Sequence, residues 1–189
     1  LNESITNTKE LVLDLNGKTI TGTDTTSKNF GLINNNGTLT IADSVGGGKI
    51  TYAQGTSNVG WAVDVKGSFT LESGTIELTG SSWSIGYAVD VRPNSWGTEY
   101  TNPSVFTMNG GNIVSNDGAV RVASSSAAEH KKVSASFVMN GGEIDAAWDG
   151  VFVQQSDAIY DDLSFTMNGG TIKSALNPVR VYGPAPTGY

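Results

Sequence analysis

One phrase decides the fold. Phe106-Thr107-Met108-Asn109-Gly110-Gly111-Asn112-Ile113 returns as Phe137-Val138-Met139-Asn140-Gly141-Gly142-Glu143-Ile144 and again as Phe165-Thr166-Met167-Asn168-Gly169-Gly170-Thr171-Ile172. Looser copies stand upstream at Leu13–Ile20, Leu39–Ile41 and Phe69–Ile76. Between equivalent positions (Leu13, Leu39, Phe69, Phe106, Phe137, Phe165) the spacing is 26, 30, 37, 31 and 28 residues. A recurring phrase at this period marks a solenoid or an array. The uneven spacing points to coils that carry loops, since helical repeats rarely vary so much.

Each copy alternates at period 2 before its Asn-Gly-Gly: Phe106 and Met108 point one way and Thr107 the other. Such alternation is the signature of a short strand with one buried face. Asn and Gly then tolerate the positive φ of a turn, and the following Ile points inward again. A second strand follows in every coil: Leu32-Ile33-Asn34, Ala62–Val65, Ala88–Val91, Ala119–Val122, Gly150–Val153 and Pro178–Val181. From the inward Ile to the inward residue of this strand the distance is 13 residues in the first three coils and 7 in the last three. On the other side the long excursions come late, at 92–104, 122–136 and 154–164.

These elements predict an all-β chain: a right-handed, single-stranded parallel β-helix of about six coils, forming one domain over residues 1–189. Parallel crossovers are right-handed as a rule, and stacked coils bury faces that no single coil could bury. A β-sandwich is the rival reading, but hairpins would not reproduce one eight-residue phrase at coil length.

Composition agrees. Charged residues make up only 15%, apolar residues 38%, and glycine supplies 24 positions. The net charge of −7 repels phosphate, so nucleic-acid binding is not expected. The absence of cysteine excludes disulfides, thiolate metal sites and cysteine nucleophiles. No apolar run reaches the roughly 20 residues of a membrane helix, and no signal peptide is recognisable. The chain reads as a segment of a longer protein, and as a monomer.

On the Leu13–Ile20 stretch and the Phe-Thr-Met-Asn-Gly-Gly phrases, the chain resembles β-helix segments of the pectate-lyase-like superfamily. More narrowly, it is similar to repeat regions of large surface proteins of Gram-positive gut and soil bacteria. That resemblance implies an extracellular, cell-surface setting. It also implies a scaffold shared by adhesins, carbohydrate-binding modules and lyases.

Stacking should align the outward residues of the second strand into one column: Asn34, Asp64, Asp90, Arg121, Phe152 and Arg180. In lyases of the resembled superfamily, acidic residues on adjacent coils hold Ca²⁺ and an Arg or Lys removes a proton. Asp64 and Asp90 are the candidate metal pair and Arg121 follows them. The plainer reading is a surface Asp90–Arg121 ion pair beside a solvated Asp64, because two carboxylates are few for Ca²⁺. No cofactor is expected beyond that ion, and no catalytic residue stands out. His130 is the sole histidine, and no nucleophile elbow or phosphate loop occurs. Asp145, Asp149, Asp157, Asp161 and Asp162 read as a solvated acidic loop.

Aromatic residues in turns and loops, Trp83, Trp96, Tyr100, Trp148 and Tyr160, suit sugar stacking or protein contacts, as does an outward Phe152. Trp61 and Tyr87 share the parity of Val63 and Val89 and are expected in the core. The Thr40, Thr70, Thr107, Thr166 column reads as β-propensity, and Asn109, Asn140, Asn168 as a side-chain ladder. The expected function is a binding module or adhesin. It would recognise a host protein (mucosal or immune) or a glycan through Asp90, Arg121, Phe152, Arg180, Trp96, Tyr100, Trp148 and Tyr160. A Ca²⁺-dependent pectin-like polysaccharide module and a passive cell-wall spacer are the alternatives.

Overall fold

A computed structural model describes residues 3–23, 30–55, 59–80, 86–93, 103–124, 134–155 and 162–183. Nineteen strands follow one another without a helix among these residues. The first coil holds β1 (Ile5–Asn7), β2 (Glu10–Asp14) and β3 (Thr19–Thr23), the second β4 (Phe30–Asn35), β5 (Thr38–Ala42) and β6 (Lys49–Ala53). Then come β7 (Gly60–Val65), β8 (Ser68–Leu71), β9 (Thr75–Thr79), and β10 (Tyr87–Val91), β11 (Ser104–Met108), β12 (Asn112–Ser115). The last coils hold β13 (Gly118–Ala123), β14 (Ser134–Met139), β15 (Glu143–Ala146), and β16 (Asp149–Gln154), β17 (Asp162–Met167), β18 (Thr171–Ser174). β19 (Asn177–Tyr182) follows alone.

Every third strand pairs in parallel, giving three sheets. Sheet A runs β1-β4-β7-β10-β13-β16-β19, sheet B β2 to β17 and sheet C β3 to β18. The chain is a single-stranded parallel β-helix, as its repeats predict. At ~4.8 Å per strand the seven strands of sheet A span roughly 30 Å.

The repeated phrase makes the corner between sheets B and C. Phe69, Phe106, Phe137 and Phe165 stack ring on ring at 4.8, 4.6 and 5.1 Å between centroids. Met108, Met139, Ile113, Ile144 and the valines of β7, β10, β13 and β16 fill the bore around them. The second glycine of each phrase, Gly111, Gly142 or Gly170, has φ of 76°, 86° or 92°. That is a conformation side chains resist. A Cβ on Gly111 would also stand 2.6 Å from the Gly74 carbonyl oxygen. Outside the corner, Asn168 donates to Asn140 at 2.8 Å, Asn140 to Asn109 at 2.9 Å and Asn109 to Glu72 at 2.9 Å. The glycines turn the chain and the asparagines tie the turns together.

Sheet A departs from simple alternation. Its bridges pair Tyr87 with Trp61 and Val89 with Val63 but pass over Ala88 and Ala62. The same skip occurs at Leu32 and at Ala119. In each case two successive residues enter the bore, as Ala62 with Val63 and Ala88 with Val89. Two inward neighbours leave room only for a small first one, hence the alanines. Leu32 is the exception, and Gly22 makes space for it: a Cβ there would lie 2.4 Å from the Leu32 Cδ1. The skip resets the pleat, so residues before it change face. Trp61 and Tyr87 therefore lie outside the bore, in a separate cluster with Phe152. This corrects the expectation, drawn from parity alone, that they belong to the main core.

Candidate functional site: the outer face of sheet A

The column expected on sheet A is present in register: Asn34 beside Asp64, Asp64 beside Asp90, Asp90 beside Arg121, Arg121 beside Phe152 and Phe152 beside Arg180. Its environment differs from an open, solvated surface. β7 and β10 are buried along their whole length, on both faces. Asp90 is fully buried, and Arg121 clamps it with Nε donating to Oδ1 at 2.7 Å and Nη2 to Oδ2 at 2.9 Å. Arg92 adds a contact of 3.2 Å. Asp64, 5% exposed, pairs with Lys66 at 2.9 Å. Asp149, also fully buried, accepts from Asn177 at 2.9 Å and from Tyr87 at 3.4 Å, and meets Arg180 at 3.2 Å. It is a member of this network rather than of a solvated loop.

Each of the chain's three arginines covers an aromatic ring. Arg92 stands 5.6 Å from the Trp61 centroid, Arg121 5.1 Å from Tyr87 and Arg180 3.8 Å from Phe152. The rings lie beneath the guanidinium groups, and Tyr87 and Phe152 stack on each other at 6.2 Å. Phe152 points outward but is buried, so it offers no bare ring to solvent. Cation–π contact on a partly desolvated face contributes about 1–2 kcal/mol per pair.

The two neighbouring carboxylates differ in kind. Burial alone would raise Asp90, but Arg121 and then Arg92 more than offset it and hold the carboxyl below the usual range. Burial, followed by the Asp90 charge, raises Asp64. Its Oδ1 has no partner among the described residues, nor has the Trp61 Nε1. Burial, with the Asp149 charge, also raises the Tyr87 hydroxyl. A divalent cation between Asp64 and Asp90 would face Lys66, Arg92 and Arg121 at close range. Among the described residues no group of three or more acidic or histidine side chains is placed to hold a metal.

Asp64 thus binds a proton more readily folded than unfolded, and its ionisation counts against the fold at neutral pH. That cost is relieved as pH falls through the raised pKa. Asp90 has the opposite sign, with stability lost only as pH falls below the ordinary carboxylate range. Asp64→Asn is therefore expected to lose the gain in stability that the parent shows between neutrality and that range, while the collapse at lower pH stays. Urea midpoints measured across pH check this; an unchanged slope would acquit Asp64.

Trp148 stands at the turn between β15 and β16, 45% exposed, where its carbonyl accepts from Asn177 N. Trp83, Trp96, Tyr100, His130, Asp157, Tyr160 and Asp161 lie outside the described residues. Lys66 and Arg92 were not found from the sequence, and Asp149 reads there only as part of a solvated loop. The signal available for the first two was their place just past a Val-Asp-Val strand, two residues after Asp64 and Asp90. Compared with family models, characterised proteins and solved structures, the chain matches none. It belongs to the architectural class of parallel β-helix repeat proteins.

Proposed function

We propose that this β-helix is a binding module of the adhesin kind, displayed outside a bacterial cell. It recognises a host protein or glycan at the outer face of sheet A and the loops around it. One observation carries the reading. The four connections longer than six residues, 80–86, 92–103, 124–133 and 155–161, all begin or end on sheet A. Three more connections, 24–29, 43–48 and 54–59, hold six residues, and the other corners are tighter: Asn36-Gly37 and Lys66-Gly67 suffice from sheet A to sheet B, and Asn116-Asp117 from sheet C to sheet A. Long loops rooted on a rigid scaffold are the usual arrangement for recognition. The sheet beneath them is locked by charge pairs and stacked rings, so the roots are fixed. The test is to replace 92–103, 124–133 and 155–161 by two-residue Asn-Gly corners and compare partners captured from mucus and serum. Loss of a captured partner is expected; an unchanged set would sink the proposal.

A further inference from the structure

We infer that the outer face of sheet A docks an acidic polypeptide segment, the cations Lys66, Arg92, Arg121 and Arg180 receiving its carboxylates. This names the partner chemistry for the face proposed above and rests on that reading. The chain as a whole carries −7, yet all three of its arginines lie on this one face. With Lys66 they set, among the described residues, four cations against the carboxylates Asp64, Asp90 and Asp149.

The charges are layered. The carboxylates lie underneath, with side-chain exposures of 7%, 0% and 0%, while Arg180 is 38%, Arg92 28%, Lys66 27% and Arg121 15% exposed. An approaching molecule therefore meets cationic groups and little of the acids that hold them in place. A guanidinium carries five N–H donors in a fork that matches a carboxylate. Arg92 Nη2 and Arg180 Nη1 approach their carboxylates at 3.2 Å, longer than the 2.7 and 2.9 Å of the Arg121 clamp.

Two other occupants fit less well. Saccharides are held chiefly by stacking on bare aromatic faces, and here Trp61, Tyr87 and Phe152 are buried beneath the arginines. A nucleic acid would place many phosphates against a chain of net −7 to gain four cations. A short acidic peptide brings few charges and can also donate main-chain N–H groups.

The experiment measures binding of fluorescent oligoglutamate to the whole chain, with oligogalacturonate and oligolysine as the other arms. Oligoglutamate is expected to bind, weakening at least about tenfold between low salt and about 0.5 M salt. Lys66→Gln and Arg180→Gln should each weaken it about fivefold, and Arg180→Lys less, each variant's unfolding midpoint being measured alongside. Should Arg180→Gln unfold, Lys66→Gln decides, since Asp90 keeps its Arg121 clamp, Asp149 keeps Arg180, and burial already favours the protonated form of Asp64. No binding of oligoglutamate, preference for oligogalacturonate, or indifference to the charge changes would each overturn the inference. If loop replacement abolishes partner capture while the charge variants leave it intact, this inference fails and the loop-based reading stands.

Discussion

Arg121→Met is expected to lower the stability of the chain by about 3 kcal/mol. The reason lies in Asp90. It is fully buried, and Arg121 supplies two of its three cationic contacts, the bidentate pair at 2.7 and 2.9 Å. Removing that partner leaves a carboxylate out of water with Arg92 alone, at 3.2 Å. Such a stranded charge costs far more than the loss of an exposed ion pair, which is worth at most about 1 kcal/mol. The same change uncovers the Tyr87 ring, where the guanidinium sits 5.1 Å from the centroid. Arg92→Gln should cost clearly less, because the bidentate clamp survives it. Urea unfolding of the two variants checks the order. Asp90→Leu combined with Arg121→Met should recover most of the loss, as expected when the damage comes from an unpaired buried charge. A single Arg121→Met protein with the parent's midpoint would refute the buried clamp.

Phe137→Ala is the second large effect, at about 3–5 kcal/mol. Phe137 is fully buried between Phe106 at 4.6 Å and Phe165 at 5.1 Å, so its removal opens a gap that two rings from neighbouring coils cannot close together. Strand pairing fixes the spacing on both sides: Phe106 is bridged to Phe137 and Phe137 to Phe165. Phe165 is only partly buried and has a ring on one side among the described residues. Phe165→Ala should accordingly lose roughly half as much. Equal losses at the two positions would contradict the stacked bore. Thermal or urea midpoints of the two variants suffice to decide.

How far the sequence could be read follows from what repetition encodes. Stacking coils on a common register turns spacing into position, so the order Asn34, Asp64, Asp90, Arg121, Phe152, Arg180 could be written down beforehand. Repetition does not say how much water reaches a column. Asp64 reads as solvated and Asp90 as a surface ion pair with Arg121; the pair is present, but the burial of both carboxylates depends on groups brought in from other coils and from beyond the strand, such as Lys66 and Arg92. Nor did the alternation announce its own interruption. Ala62, Ala88 and Ala119 look like ordinary strand residues; only bridges that pass over them show why Trp61 and Tyr87 changed sides. β1 escaped notice because Ile5-Thr6-Asn7 has no partner phrase of its own, and is identified only by its pairing with Ile33 to Asn35. The Asn-Gly-Gly phrase, the most conspicuous feature, is scaffold: it turns corners and fills the bore, while the surface proposed for binding is where the copies differ.

The ladder bonds of all three sheets run along the rod, and the strands lie across it. Tension applied between the two ends of the chain therefore does not load all the bonds together; it peels coils one after another from whichever end yields first. With 26 to 37 residues between equivalent positions and ~3.4 Å per extended residue, each coil released would lengthen the chain by roughly 100 Å. A chain built this way yields under load by discrete lengths, one coil at a time.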